Sequence, residues 1–220
     1  MSDAVILVVA KAPVAGLAKT RLAPAIGHRG AAALAAAALL DTLDAVLAVD
    51  DTVPVVAMTG SLADAERSDE LDELLARCTV LPQRGDGFAD RLANAHEDVA
   101  EWRLPVLQIG MDTPQLRPEL LTGALVRLAE IGTDAVLGPA ADGGWWGLGL
   151  RDPLAAGALR GVSMSRSDTG TQTLFALREW GLRIRKLPTL SDVDTMADAR
   201  LVAAQIPGSR FARAILAEAA

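Results

Sequence analysis

A chain of 220 residues that is 51% hydrophobic and 22% charged can bury a substantial core, and this composition excludes a disordered or fibrous protein. Its formal net charge of −7 argues against a general nucleic-acid binder, which needs a broad excess of Lys and Arg over one face. The one cysteine, Cys78, cannot close an internal disulfide and reads as a small buried hydrophobe, which fits a reducing cytoplasm.

The apolar run from Ala4 to Ala10 is too short to span a bilayer and ends in Lys11 rather than in a cleavage site, so it reads as a buried first strand. No other stretch reads as a membrane helix, and no membrane insertion is expected. An Ala-rich helix from about Arg29 to Leu47 follows, then a strand at Val53–Ala57, a helix from about Leu62 to Arg77 and a short strand at Val80-Leu81. Phe88, Leu92, Ala95, Val99 and Trp102 recur at helical spacing. A strand at Pro105–Ile109, a helix at Pro118–Ile131 and strands at Ala135–Leu137 and Trp145–Leu150 come next. A helix at Thr169–Trp180 and a last strand at Arg183–Leu187 complete the pattern. Alternating strands and helices predict one α/β domain over residues 1–220 with a mostly parallel sheet, whose strand carboxyl ends should face a common ligand crevice.

The loop after the first strand carries Lys11, Pro13, Gly16, Lys19, Thr20 and Arg21. Its cations suit phosphate oxygens, and Arg21 can bind them bidentately, although the spacing is neither a Walker P-loop nor a dinucleotide fingerprint. A solvated basic turn explains the same letters. Lys19 is expected to face solvent at the crevice. Asp112, after the Pro105–Ile109 strand, either ligates a divalent cation or begins a turn before Pro114. Asp192 and Asp194 lie on one side of an extended segment and suit a hard cation such as Mg²⁺, with Asp194 the preferred ligand. Thr195 and Asp198 read instead as a capping box, and Ser167 or Asp168 as the cap of the helix that follows. Asp142, Gly143, Gly144 and Trp145 form either a pocket wall or a hairpin turn next to core tryptophans. His28 and His96 stand apart from any partner at zinc-ligand spacing, and His96, next to Glu97 and Asp98, reads as a surface or boundary residue.

Taken in order, Lys-x-Pro-x-x-Gly-x-x-Lys-Thr-Arg-Leu (from Lys11), Gly-x-Asp-x-Pro-x-Leu (from Gly110), Gly-Pro-x-x-Asp-Gly-Gly (from Gly138) and Asp-Val-Asp-Thr-x-x-Asp (from Asp192) resemble the DUF2064 family of bacterial proteins, from Val5 to about Leu201. The family looks like nucleotide-diphospho-sugar transferases associated with radical-SAM gene clusters. The resemblance implies a three-layer α/β/α GT-A-like fold with a mostly parallel mixed sheet and one antiparallel strand at Trp145–Leu150. It also implies nucleotide phosphates near Lys11, Gly16, Lys19 and Arg21, and Mg²⁺ or Mn²⁺ near Asp112. The Asp192-Val193-Asp194 segment and the Lys-Thr-Arg-Leu loop are also similar to 2-phospho-lactate guanylyltransferases. Trp145 and Trp146 stand where the family commonly has tyrosines, and Ala141 where it often has a polar residue.

The expected protein is therefore a cytoplasmic metal-dependent transferase with a nucleotide or nucleotide-sugar donor and a small-molecule acceptor; a homodimer is compatible with the sequence. Glycosyl transfer is the first expectation. Nucleotidyl transfer and a catalytically silent nucleotide-binding protein are the alternatives. Asp142, Lys19 and Asp112 are the expected catalytic residues, Asp142 by orienting or deprotonating an acceptor hydroxyl.

Overall fold

The computed structural model describes residues 3–218. A seven-stranded sheet is formed by β1 (Ala4–Lys11), β2 (Thr52–Thr59), β3 (Thr79–Pro82), β4 (Val106–Gly110), β5 (Ala135–Pro139), β6 (Trp145–Leu150) and β7 (Ile184–Lys186), in the order β3-β2-β1-β4-β6-β5-β7. Only β6 runs antiparallel, against both β4 and β5. β1 lies at the centre, with Val8 paired to Val56 on one side and Ile109 on the other. Its run of apolar residues follows from that place, because a central parallel strand is covered on both faces.

Ile6, Val8 and Ala10 point to the face covered by α1 (Ala23–Leu47), α2 (Ser68–Leu75) and α4 (Pro118–Ala129). Val5, Leu7 and Val9 point to the opposite face, under α3 (Phe88–Val99), a 3-10 helix (Pro153–Gly161) and α5 (Thr169–Glu179). A third cluster joins Leu22 and Leu34 to Val193, Val202 and Phe211, and so packs α6 (Met196–Gln205) and α7 (Arg210–Ala217) against α1.

Several details depart from the sequence reading. α1 begins earlier than expected and is broken at Gly27, whose φ of +73° lies outside the helical region. By length and mean hydropathy (1.6) it could cross a bilayer, which the sequence reading did not anticipate; 72% of that apolar window is buried inside the fold. α2 is much shorter than the expected Leu62–Arg77, because the preceding residues serve the β1 loop instead. Val14 bridges Ala65, Pro13 accepts a hydrogen bond from the Glu66 amide, and Arg67 takes a left-handed φ of +58°. α7 and the 3-10 helix Pro153–Gly161 were not foreseen. Cys78 is half-buried at the edge of the core, and burial raises its thiol pKa.

Candidate active site

The chain order reverses between β1 and β4, and an open cleft of about 690 Å³ lies at their carboxyl ends. Lys11 and Arg21 line it, whereas Pro13, Gly16 and Thr20 do not. Gly16 meets nothing at the position of a Cβ, so it is required by its φ of +80° and not by crowding. The Lys11 ammonium donates to the Leu17 carbonyl at 2.8 Å and closes the loop on itself.

Lys19 is not solvent-facing as expected. Only 11% of its side chain is exposed, and its Nζ lies 3.1 Å from Asp112 Oδ1 and 2.5 Å from the Val193 carbonyl. Packing of Leu22 and Val193 in one cluster draws the two chain segments together across this ammonium. Lys19 thus ties the β1 loop to the β4 loop and to the residues before α6.

Asp112, Asp142, Asp192 and Asp194 all line the cleft. Their pairing differs from the expected metal set. Asp194 Oδ2 receives Arg21 Nη1 at 2.6 Å, so the preferred ligand is committed to an arginine. Asp192 instead faces Asp142, within hydrogen-bonding reach. Burial, then the Asp142 charge, pushes the Asp192 carboxyl up to about 7, against the pull of Lys19.

This meeting follows from the backbone. The Leu190 amide donates to Pro139, the Ala141 amide donates to Leu190, and Gln115 Nε2 donates to the Ser191 carbonyl. The segment before Asp192 therefore runs beside the β5–β6 turn that carries Asp142. Among the described residues no three or more acidic, His or Cys side chains converge on one point. A crowded carboxyl pair offers hard oxygen donors in excess of protein hydrogens. Mg²⁺ suits such a place, since it is held by one or two carboxylates and completed by water and substrate phosphates.

The Gly-Gly-Trp segment is a hairpin turn from which Asp142, Gly144 and Trp145 line the cleft, whereas Gly143, expected in the acceptor pocket, does not. Asp142 Oδ1 accepts the Gly144 amide at 2.8 Å, which fixes the turn. A Cβ on Gly143, at φ +91°, would lie 1.8 Å from the Ser167 carbonyl oxygen, and the Gly170 amide donates to the Gly143 carbonyl. Trp145 lines the cleft and donates to Thr173 Oγ1, while Trp146 is buried with its indole N–H on the Pro188 carbonyl. Thr195 and Asp198 form the expected capping box. Asp168 occupies the cap position of α5, but its carboxylate accepts from Arg166 and Gln172 rather than from the helix amides.

Four residues in or beneath the cleft were given no role of their own by the sequence. Gln83 Nε2 donates to the Ala10 and Ala57 carbonyls and stitches the ends of β1 and β2 beneath the opening. Arg91 and Arg166 line the cleft. His96, expected at the surface, is fully buried under the sheet, with Nε2 2.9 Å from Gln108 Oε1. Burial pulls its pKa down to about 4. A glutamine in the centre of the Val-Leu-Gln-Ile strand was the available signal, because a polar side chain in a buried strand requires a partner.

A family model described as "Uncharacterized protein conserved in bacteria (DUF2064)" matches residues 42–166. Among solved structures, a Desulfovibrio desulfuricans G20 protein provisionally named a nucleotide-diphospho-sugar transferase is 26% identical, with a TM-score of 0.84 over 98% of this chain and 94% of that one. A CMP:2-keto-3-deoxy-manno-octonic acid synthetase complexed with CTP is similar at a TM-score of 0.59 and 16% identity, over 94% of this chain and 99% of that one. A mannosyltransferase from Pyrobaculum calidifontis in complex with GDP-Man and Mn²⁺ is similar at 0.53 and 14%, over 97% of this chain but 64% of that one. No curated protein matches the sequence. The last two similarities are of fold alone.

Proposed function

The chain belongs to the DUF2064 family, and from that premise we propose that it is a transferase acting on a nucleotide-activated donor, in the first instance a glycosyltransferase using a nucleoside diphosphate sugar. The observation that carries this reading is the convergence, in one cleft, of cations from the β1 loop with carboxylates from three separate strand ends.

In this reading Lys11 and Arg21 receive the donor's phosphate oxygens. Arg21 is held in place by Asp194, which fixes the guanidinium without removing its remaining N–H donors. Lys19 acts from behind, keeping Asp112 and the 190s segment at fixed positions. Asp142 and Asp192 are the residues that would hold Mg²⁺ or Mn²⁺, with Asp112 beside them; the cation would neutralise the leaving nucleoside diphosphate. Trp145 supplies an apolar wall for the acceptor. Asp142 is thereby reassigned from orienting the acceptor to the carboxyl pair.

Nucleotidyl transfer is the second reading. It is supported by the near-complete mutual coverage with the CTP-bound synthetase, whereas the chain spans about two thirds of the mannosyltransferase. A screen of nucleoside triphosphates and sugar nucleotides with Mg²⁺ and Mn²⁺ tests both. Release of a nucleoside diphosphate from a sugar nucleotide supports glycosyl transfer, and pyrophosphate release from a triphosphate supports nucleotidyl transfer. In Asp192→Asn, metal-dependent thermal stabilisation by the donor should disappear. Full metal dependence in that variant would remove Asp192 from the cation.

A further inference from the structure

The two walls of the cleft differ in how their cations are satisfied. On the wall of the β1 loop, Arg21 is paired with Asp194 and Lys11 donates to the Leu17 carbonyl, while Lys19 behind them is paired with Asp112. On the opposite wall, built by α3 and the segment before α5, the lining cations are Arg91 and Arg166. Among the described residues, the one side-chain hydrogen bond of Arg91 runs from Nε to the Gly85 carbonyl. Arg166 meets Asp168 through Nε alone. Nearby arginines are engaged differently: Arg84 is tied to Asp98 and Glu97, and Arg160 to Asp90 and Glu97. Of the three arginines that line the cleft, Arg21 spends a terminal nitrogen on a carboxylate, whereas Arg91 has no carboxylate partner among the described residues and Arg166 hydrogen-bonds one through Nε, leaving its terminal nitrogens toward the cleft.

The floor beneath them holds an independent feature. Gln108 is 2% exposed, yet it lines the cleft. Its Oε1 is taken by His96 Nε2 from below, which orients the amide. The amide nitrogen has no protein partner among the described residues, and it is not among the side-chain atoms sealed from solvent without one. It therefore opens into the cleft as a donor. An amide held by protein through its oxygen and open to the cleft through its nitrogen is suited to a ligand oxygen.

We propose that Arg91 and Arg166, above the Gln108 amide, form a subsite for an acidic acceptor, a small hydroxylated molecule that carries a carboxylate or a phosphate. The acid pairs with the two guanidinium groups, Gln108 donates to a neighbouring oxygen, and Trp145 and Met164 cover the carbon skeleton. This assignment rests on the transferase reading above, in which the donor's phosphates occupy the other wall.

The test uses three probes with one carbon skeleton, glycerol, D-glycerate and glycerol 3-phosphate, titrated by calorimetry into protein saturated with Mg²⁺ and the best-binding nucleoside diphosphate. At least one acid should bind tenfold or more tightly than glycerol, and which one does so separates carboxylate from phosphate. The double variant Arg91→Met, Arg166→Met should lose that preference while retaining the nucleotide, and Gln108→Met should weaken the acid several-fold in protein that still binds the nucleotide, with an unfolding midpoint lowered by the loss of the His96 partner. Equal binding of acid and glycerol, or a preference that survives in the double variant, overturns the proposal. Loss of nucleotide in the double variant also overturns it, by giving the arginines to the donor. Failure of the wild type to bind any nucleotide would overturn the transferase reading instead, and arginine-dependent binding of glycerol 3-phosphate by the protein alone would still support the subsite.

Discussion

Replacing His96 by leucine should flatten the acid side of the stability profile. The imidazole is fully buried and its pKa is pulled from about 6.5 down to about 4, so the fold resists a proton that the unfolded chain accepts. A depressed folded value means that the contribution is present above about pH 6.5 and is lost as the pH falls towards 4. Integrated between pH 7 and pH 4.5, the difference in proton binding amounts to about 2.5 kcal/mol. Removing the ring also strips Gln108 Oε1 of its partner, a loss of about 1–3 kcal/mol that does not depend on pH. The two effects separate in urea unfolding at both pH values. His96→Leu should be less stable than the wild type at pH 7 and should lose about 2.5 kcal/mol less on acidification. Carboxylate titrations are common to both proteins and cancel in the comparison. Equal losses in the two proteins would refute the reasoning, because the imidazole would then have to be accessible to protons in the folded state.

Two further substitutions probe the frame of the cleft. Gly143→Ala should cost about 3 kcal/mol, lowering Tm by roughly 6–12 °C, since a Cβ at φ +91° would collide with the Ser167 carbonyl; an unchanged Tm would mean that the turn and the segment before α5 separate freely. Lys19→Met should reduce nucleotide affinity at least tenfold in calorimetry while costing about 1–2 kcal/mol of stability, because Asp112, 52% exposed, stays hydrated after losing its partner. Undiminished affinity in the folded variant would count against the role given to the β1 loop.

Local features were legible in the residues alone. The apolar run of β1 read as a buried strand because it was too short for a membrane span, and the sheet places it at the centre, covered on both faces. Thr195 and Asp198 announced their capping box because both partners lie within one turn of helix. The antiparallel course of β6 came from the resemblance rather than from spacing, and the fold bears it out.

What the sequence could not determine was which charges meet. Asp192 and Asp194 are two positions apart, yet one faces a carboxyl 50 positions away and the other an arginine on the β1 loop, because the 190s segment is laid beside the β5–β6 turn by backbone hydrogen bonds between distant residues. Lys19 looked like a solvent-facing cation until packing of Leu22 against Val193 enclosed it. His96 looked like a surface residue because its neighbours along the chain are acidic, whereas its burial is decided by the face that α3 turns to the sheet and by a glutamine on β4. Strand and helix periodicity is set by neighbours a few residues apart, and a sequence displays it directly. The ionisation and partners of the cleft residues depend on strand order and on which loops the sheet brings together, and those were decided only by the tertiary structure.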